Sequence, residues 1–243
     1  MLADDLRGVF YITLKDLRAY YLKPPNISWG ILFPGAFILA FAVRGTGDLS
    51  ALVPGLLALT VLFGTSSMEA IVIVFERRTG ALERLLLAPL RLPAVLAGKL
   101  LGGVVFGLTV TMAMLLVTTL VFGTGGINWL LLGLALCASA LAFSAMGAFV
   151  SVAVREVFEA QTLANFIRFP MMFLGGVFVP LEALPGGLQI VARGLPLTYS
   201  VEALRAAYGY GPLTLVLLDL GVLLAFAVVL FVLAVNILAR RLE

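Results

Sequence analysis

The segment ERRTGALERLLLAPL, Glu76–Leu90, carries five ionised side chains in its first nine positions and is set between two strongly apolar runs. Its arginines suit a cytoplasmic anchor, which leaves the internal order of its charges unexplained. Elsewhere two acids stand inside apolar sequence, Glu69 and Asp219. An ionisable group in such surroundings faces protein or water, not lipid. Glu69 either does so or snorkels to the interface. Asp219 needs a partner, which Arg193 or Arg205 could supply; the alternative is an ion-coupling role. The two acids lie toward opposite ends of their apolar runs, so they do not form an acid–base pair. There is no histidine and a single cysteine, Cys137. That removes histidine-based nucleophile triads, histidine-containing metal sites and a disulfide framework. Gly98-Lys99 is followed by Leu100 and has no glycine five positions before it, so it is not a phosphate-binding loop, and the chain itself is expected to bind no nucleotide and to hold no cofactor.

The elements that must carry these groups are membrane helices. The 243 residues are 62% hydrophobic and 12% charged, with a mean hydropathy of +1.14. A soluble domain is about 45–50% apolar and about 25% charged. The apolar residues come in blocks, and a spanning helix needs about 20 of them. Six blocks are expected to span: Ile27–Val43, Ala51–Phe75, Leu100–Phe122, Trp129–Val154, Leu163–Val179 and Leu213–Leu238. The ten-residue alternating strands of a membrane barrel are missing. Residues 1–23 hold seven charges and no apolar core, so no cleaved signal is expected there.

Lysine and arginine favour the cytoplasmic side of short loops. Arg7, Lys15, Arg18 and Lys23 precede the first block. Arg77, Arg78, Arg84, Arg91 and Lys99 follow the second, Arg155 follows the fourth with Arg168 beyond it, and Arg240 and Arg241 end the chain. Only Arg44, Arg193 and Arg205 fall on the other side. Both termini are therefore expected in the cytoplasm, and Glu76–Leu90 serves at least as a topological anchor. The net charge of +3 is modest, and no nucleic-acid partner is expected.

Finer features follow. Residues 2–21 are amphipathic: Leu2, Leu6, Val9, Phe10, Thr13, Leu17, Tyr20 and Tyr21 share one face, and Asp4, Arg7, Tyr11, Lys15 and Arg18 the other. This suits an interfacial helix, ended by Pro24-Pro25. Gly80–Ala88 reads as a short helix capped by Thr79 and stopped before Pro89, with Leu82, Leu85 and Leu86 on one face. Gly98, Gly102, Gly103 and Gly107 form two GxxxG pairs, which allow close helix packing. Residues 180–212 are too apolar for a free loop and too broken by Pro and Gly for a span. Irregular backbone at membrane depth is tolerated only inside protein or beside a water-filled cavity. A re-entrant hairpin of two helices is expected, Leu184–Ala192 and Ser200–Tyr208.

Two stretches, FERRTGALERLLLAPLRLPAVLAGKLLGG (Phe75–Gly103) and GGVFVPLEALPGGLQIVARGLPLTYSVEALR (Gly175–Arg205), together with the N-terminal interfacial helix, resemble the permease subunit of type 2 ABC exporters, the drug and natural-product resistance branch included. The resemblance covers essentially the whole chain. It implies an all-α membrane protein with six spans, forming one permease domain over residues 1–243: an elbow helix at 1–25, a cytoplasmic loop with a coupling helix at 76–98, and an external re-entrant hairpin at 180–212. It implies a non-catalytic chain that pairs with a second permease chain, a copy or a paralogue, in the prokaryotic inner membrane. Two ATP-binding cassette subunits would carry ATP and Mg. Glu76, Arg77, Thr79, Glu83 and Arg84 would contact them. Phe63, Thr65, Ser66, Asn165, Phe166, Phe169, Met172 and Phe173 would line the translocation path. Pro180, Glu182, Pro185, Pro196, Tyr199, Glu202 and Arg205 would belong to the external gate. The aromatic, methionine-rich lining favours an amphiphilic drug-like or lipid-like cargo. Export of a lipid-linked polysaccharide is the alternative on the same architecture. A secondary transporter would show internal repeats with paired broken helices. A membrane scaffold would need neither the short charged helix nor the hairpin.

Overall fold

The structure is a computed structural model that describes residues 2–23, 35–36, 39, 49–123 and 125–242. All regular elements among them are helical. The first expected span, Ile27–Val43, lies almost wholly outside the described residues.

Helix α1, Leu2–Asp16, has Asp4 and Asp5 in its first turn and Lys15 in its last, the order that the helix dipole favours. It widens into a π-helical turn, Leu17–Tyr21. The expected apolar face of this segment divides: Tyr21 is buried, whereas Leu6 and Phe10 stay exposed, and the buried side also takes in Ile12 and Asp16, which were not placed on that face. One side therefore packs on protein and a second apolar side is left for the surroundings.

A short 3-10 turn, Leu49–Leu52, leads into α2, Val53–Arg78, with Pro54 in its first turn, where a missing N–H costs nothing. Helix α3, Ala81–Leu86, and α4, Leu92–Phe122, follow. The side chain of Asn128 accepts a hydrogen bond from Leu131 N at 3.1 Å and so caps α5, Trp129–Ala153. Helix α6, Val157–Leu174, starts where Glu159 accepts from the backbone N–H of Arg155 (2.9 Å) and of Glu156 (3.3 Å). It begins six residues before the expected span and contains Pro170.

Two short helices occupy the stretch expected to form the hairpin: α7, Gly186–Arg193, and α8, Pro196–Ala207. The second helix starts four residues early because Pro196 sits well in a first turn. Its Leu197, Val201, Ala203 and Leu204 enter the main core. The last helix, α9, is Val216–Leu242.

Helix α5 is central and packs against α2, α4, α8 and α9, while α1 lies along α4. Among the described residues, four helical stretches are long and apolar enough to cross a membrane: Ser50–Arg78, Leu92–Phe122, Trp129–Ala153 and Leu213–Arg241. The glycine pairs of α4 serve different partners. A Cβ on Gly98 would come 2.9 Å from Ile12 Cβ of α1, and one on Gly107 would come 2.2 Å from Thr65 Cγ2 of α2. Close approach on two sides of one helix is what the double GxxxG spacing allows.

Candidate functional site

The roots of α1, α2 and α4 meet in a buried ion cluster. Lys99 is two turns inside α4 and fully buried. Its ammonium donates to Asp16 Oδ2 at 3.1 Å and to Glu76 Oε2. Lys15 donates to Glu76 Oε1 at 2.5 Å and stands 2.8 Å from Asp16 Oδ1. Two acids and two lysines thus form a neutral group, and each lysine bridges α1 to α2. Burial pulls Lys15 down, but Asp16 and Glu76 outweigh it and hold its pKa above the usual lysine value. Nearby, Tyr21 OH donates to Glu69 Oε2 at 2.5 Å, both groups being buried. Burial, reinforced by Glu69, raises the Tyr21 hydroxyl well above its ordinary range, so it stays a donor. Glu69 therefore does not snorkel; it faces protein, and its Oε1 has no hydrogen-bond partner among the described residues.

This cluster corrects the reading of the segment that follows. Glu76 was expected on the surface for polar contact with a partner; it is buried because Lys99 and Lys15 neutralise it. With that charge satisfied, α2 continues to Arg78 and α4 starts at Leu92, so the connection is shorter than 76–98. Thr79 does not cap α3. Its hydroxyl donates to Phe75 O (3.0 Å) and Glu76 O (3.2 Å) and closes the end of α2. The residue at the start of α3 is Gly80, at φ 70°, a left-handed turn that suits glycine. Arg77 donates to Val154 O and ties α2 to the end of α5. Of the five contact residues expected here, Thr79, Glu83 and Arg84 are exposed, Arg77 is half-buried and Glu76 is buried. Glu83 and Arg84 sit beside Leu87, which is 86% exposed, while Leu82 is buried in an apolar cluster with Ile12, Ile73, Val95, Leu96 and Leu238. The short helix is thus anchored inward and bare outward.

The residues expected to line a path separate into two sets. Phe166, Phe169 and Phe173 form an exposed aromatic edge of α6, with Asn165 half-buried beside it. Phe63 lies 6.4 Å, centroid to centroid, from Phe169. Thr65, Ser66 and Met172 do not share that face. Thr65 and Ser66 donate back to Val61 O (2.8 Å) and Leu62 O (2.5 Å) and are enclosed by the close packing of α2 on α4 and α5, and Met172 is in the core. Arg168 is buried as well. It donates to Ser67 Oγ and to Ala164 O, and stacks 5.3 Å from the Phe63 ring.

At the opposite end, Glu182, Glu202 and Arg205 line one cavity of about 160 Å³ with Asp219, Thr198 and Tyr210. Arg205 donates to Gly176 O at 2.8 Å and pins α8 to the turn after α6. Tyr199 OH donates to Arg193 O at 2.6 Å. Pro180 and Pro185 are exposed, and Pro196 is buried in α8. Asp219 does not form the expected ion pair with Arg193 or Arg205; it is buried at the cavity wall. No group of three or more His, Cys, Asp or Glu residues suited to a metal ion occurs among the described residues.

The family model described as ABC-2 type transporter matches residues 7–208. The chain belongs to the ABC-2 type transporter family. This permease is 26% identical over 199 residues to the Inner membrane transport permease YadH of Escherichia coli K12, covering 82% of this chain and 77% of the relative. It is 26% identical over 234 residues to Nodulation protein J of Rhizobium leguminosarum bv. trifolii, covering 94% and 87%. A shorter match, 39% over 101 residues, links it to Nodulation protein J of Rhizobium meliloti, covering 39% of this chain and 38% of the relative. The permease is thus a membrane subunit of a transporter.

Asp16 and Lys99 of the permease were not recognised from sequence as site residues. Asp16 continues the stripe of Val9, Ile12 and Thr13 on α1, and Lys99 stands between Gly98 and Leu100 at the start of an apolar run. Each was visible as a charge out of place; their meeting depends on the packing of α1 on α4.

Proposed function

We propose that this chain is the membrane-spanning subunit of an ATP-driven exporter of amphiphilic, drug-like or lipid-like molecules. It works as a pair of permease chains with two ATP-binding cassette subunits. It lies in the inner membrane with six spans and both termini cytoplasmic, and hydrolysis takes place on the separate subunits. The observation that carries this reading is α3: a short helix whose Leu82 is buried and whose Glu83 and Arg84, with Leu87 just after it, are exposed. Family membership supports it, as does the name of the relative YadH, an inner membrane transport permease. The exposed aromatic edge of α6 supports an amphiphilic cargo.

The ion cluster supplies the mechanical connection. A helix pressed by a partner transmits force only if its flanks are stiff. Lys99 joins Glu76 to Asp16 at the roots of α2 and α4, the helices on either side of α3. Arg77 joins the same root to α5 through Val154 O. Load on α3 therefore reaches three long helices together, and coupling requires such an element whose arrangement the partner can bias.

Exchanging the outward charges as Glu83→Lys with Arg84→Glu tests this. Transport and transport-stimulated ATP hydrolysis should fall roughly tenfold, about 1.4 kcal/mol of lost coupling, with membrane insertion unchanged. Wild-type transport in that double variant would remove the coupling role from α3.

A further inference from the structure

Three arginines converge at the end of α5. Arg77 donates to Val154 O, and Arg241, near the end of α9, donates to Val154 O at 3.1 Å and to Ala153 O at 3.0 Å. Arg155 is the next residue in the chain. Together they line a crevice of about 300 Å³. None of the three forms an ion pair with a carboxylate of the described residues. The acids of this corner are engaged elsewhere: Glu156 pairs with Arg78 at 3.2 Å, and Glu159 accepts from the backbone N–H of Arg155 and Glu156. Glu83 acts on Arg77 only at longer range. Arg77 Nη1 is buried without a hydrogen-bond partner among the described residues.

Like charges repel, and more strongly away from bulk water. The two helix-end carbonyls offset only part of three full charges. An anion of matching shape would complete the site, and phosphate suits it because guanidinium forks bind its oxygens in pairs. The surroundings narrow the ligand. A groove of about 640 Å³ adjoins the crevice, shares Arg155 and Arg241, and is walled mainly by Phe158, Leu163 and Phe166, with Glu159 and Thr162 also on its lining. Phe158 is 80% exposed and Phe166 76%. A cationic crevice continued by an apolar trough along α6 is the complement of an anionic amphiphile.

We propose that Arg77, Arg155 and Arg241 bind the phosphate headgroup of an anionic phospholipid of the cytoplasmic leaflet, with an acyl chain lying along Phe158 and Phe166. This rests on the membrane orientation proposed above. Basic pockets at cytoplasmic helix ends are suited to such headgroups.

The test uses the purified, delipidated full-length permease, titrated with phosphatidylglycerol, phosphatidylcholine or inorganic phosphate, bound molecules being counted by native mass spectrometry. Phosphatidylglycerol should be retained in preference to phosphatidylcholine. Arg155→Gln should weaken phosphatidylglycerol binding roughly fivefold, the weight of one arginine at a membrane surface. Its guanidinium makes no hydrogen bond among the described residues, so the variant should keep its structure. Arg155→Gln with Arg241→Gln should weaken binding further. Arg240→Gln removes the same charge next door without touching the crevice and should leave binding unchanged. Equal binding of the two lipids, or equal loss in Arg155→Gln and Arg240→Gln, would overturn the proposal. Competition by inorganic phosphate at similar concentration would assign the crevice to free anions and overturn the lipid. Binding is read without ATP, so failure of the export reading and failure of this site are separate results.

Discussion

Glu76 and Arg77 are adjacent in α2, yet their side chains enter two clusters of opposite design. Glu76 joins Asp16, Lys15 and Lys99 in a closed group of balanced charge. Arg77 joins Arg155 and Arg241 around an open crevice with no carboxylate paired to any of them among the described residues. Successive residues of a helix point about 100° apart, so one turn of α2 can serve both. The difference separates two uses of charge near a membrane. Charge that is buried and balanced fixes helices to one another, and its removal leaves a partner uncompensated. Charge that is open and unbalanced holds nothing in place and keeps its capacity for a ligand.

The sharpest way to break this comparison is Lys99→Met. It strands Asp16 and Glu76 with only the half-exposed Lys15 between them. The expected cost is about 3–5 kcal/mol, the range for removing one member of a buried ion pair, measured as thermal unfolding of the detergent-solubilised protein. Adding Glu76→Gln should recover part of the loss, because one stranded acid is then neutral. If Lys99→Met melts with the wild type, the closed cluster is not a structural tie, and the mechanical connection proposed for α3 goes with it.

Tyr21→Phe probes the neighbouring contact with less force. It removes the hydrogen bond that Glu69 Oε2 receives, leaving a buried carboxyl without it. A loss of about 1–3 kcal/mol is expected. Glu69→Gln in the Tyr21→Phe background should be milder than Tyr21→Phe alone, since a buried amide is less demanding than a buried acid. A Tyr21→Phe protein of wild-type stability would mean that Glu69 finds its support elsewhere.

What could be read from sequence follows from the same physics. Apolar blocks gave the helices from Ala51 to Leu238 because hydrophobic length is a local property. The short helix after α2 and the two helices before α9 were legible from their Pro and Gly punctuation. Partnerships were not. Lys99 was counted as a loop charge, since charge next to an apolar run usually marks a membrane boundary; a residue of α1 some 83 positions away makes its burial possible. Thr65 and Ser66 looked like polar lining, but their hydroxyls return to the carbonyls four residues back, as Ser and Thr do in membrane helices. Asp219 was given an arginine that lies close in sequence space to the hairpin, yet Arg205 is committed to Gly176 O. In each case the residue type was informative, and the direction of its side chain was set by helix packing.

The smallest expected effect bears most directly on the comparison. Arg155 belongs to the open cluster, and among the described residues it is its backbone N–H that takes part in the fold, donating to Glu159. If the two clusters differ as described, Arg155→Gln should change stability by no more than about 0.5 kcal/mol, the usual range for a surface substitution, and should relieve some repulsion on Arg77 and Arg241. Thermal unfolding in neutral detergent, set beside Lys99→Met in the same buffer, measures this. The comparison also carries a condition. Phosphatidylglycerol should raise the melting temperature of the wild type and do so less for Arg155→Gln, because a ligand at free concentration L that binds the folded state stabilises it by RT ln(1 + L/Kd), which shrinks as Kd rises. A large loss of stability in lipid-free Arg155→Gln would make the crevice a structural cluster like the first. The contrast between Glu76 and Arg77 would then be one of packing alone.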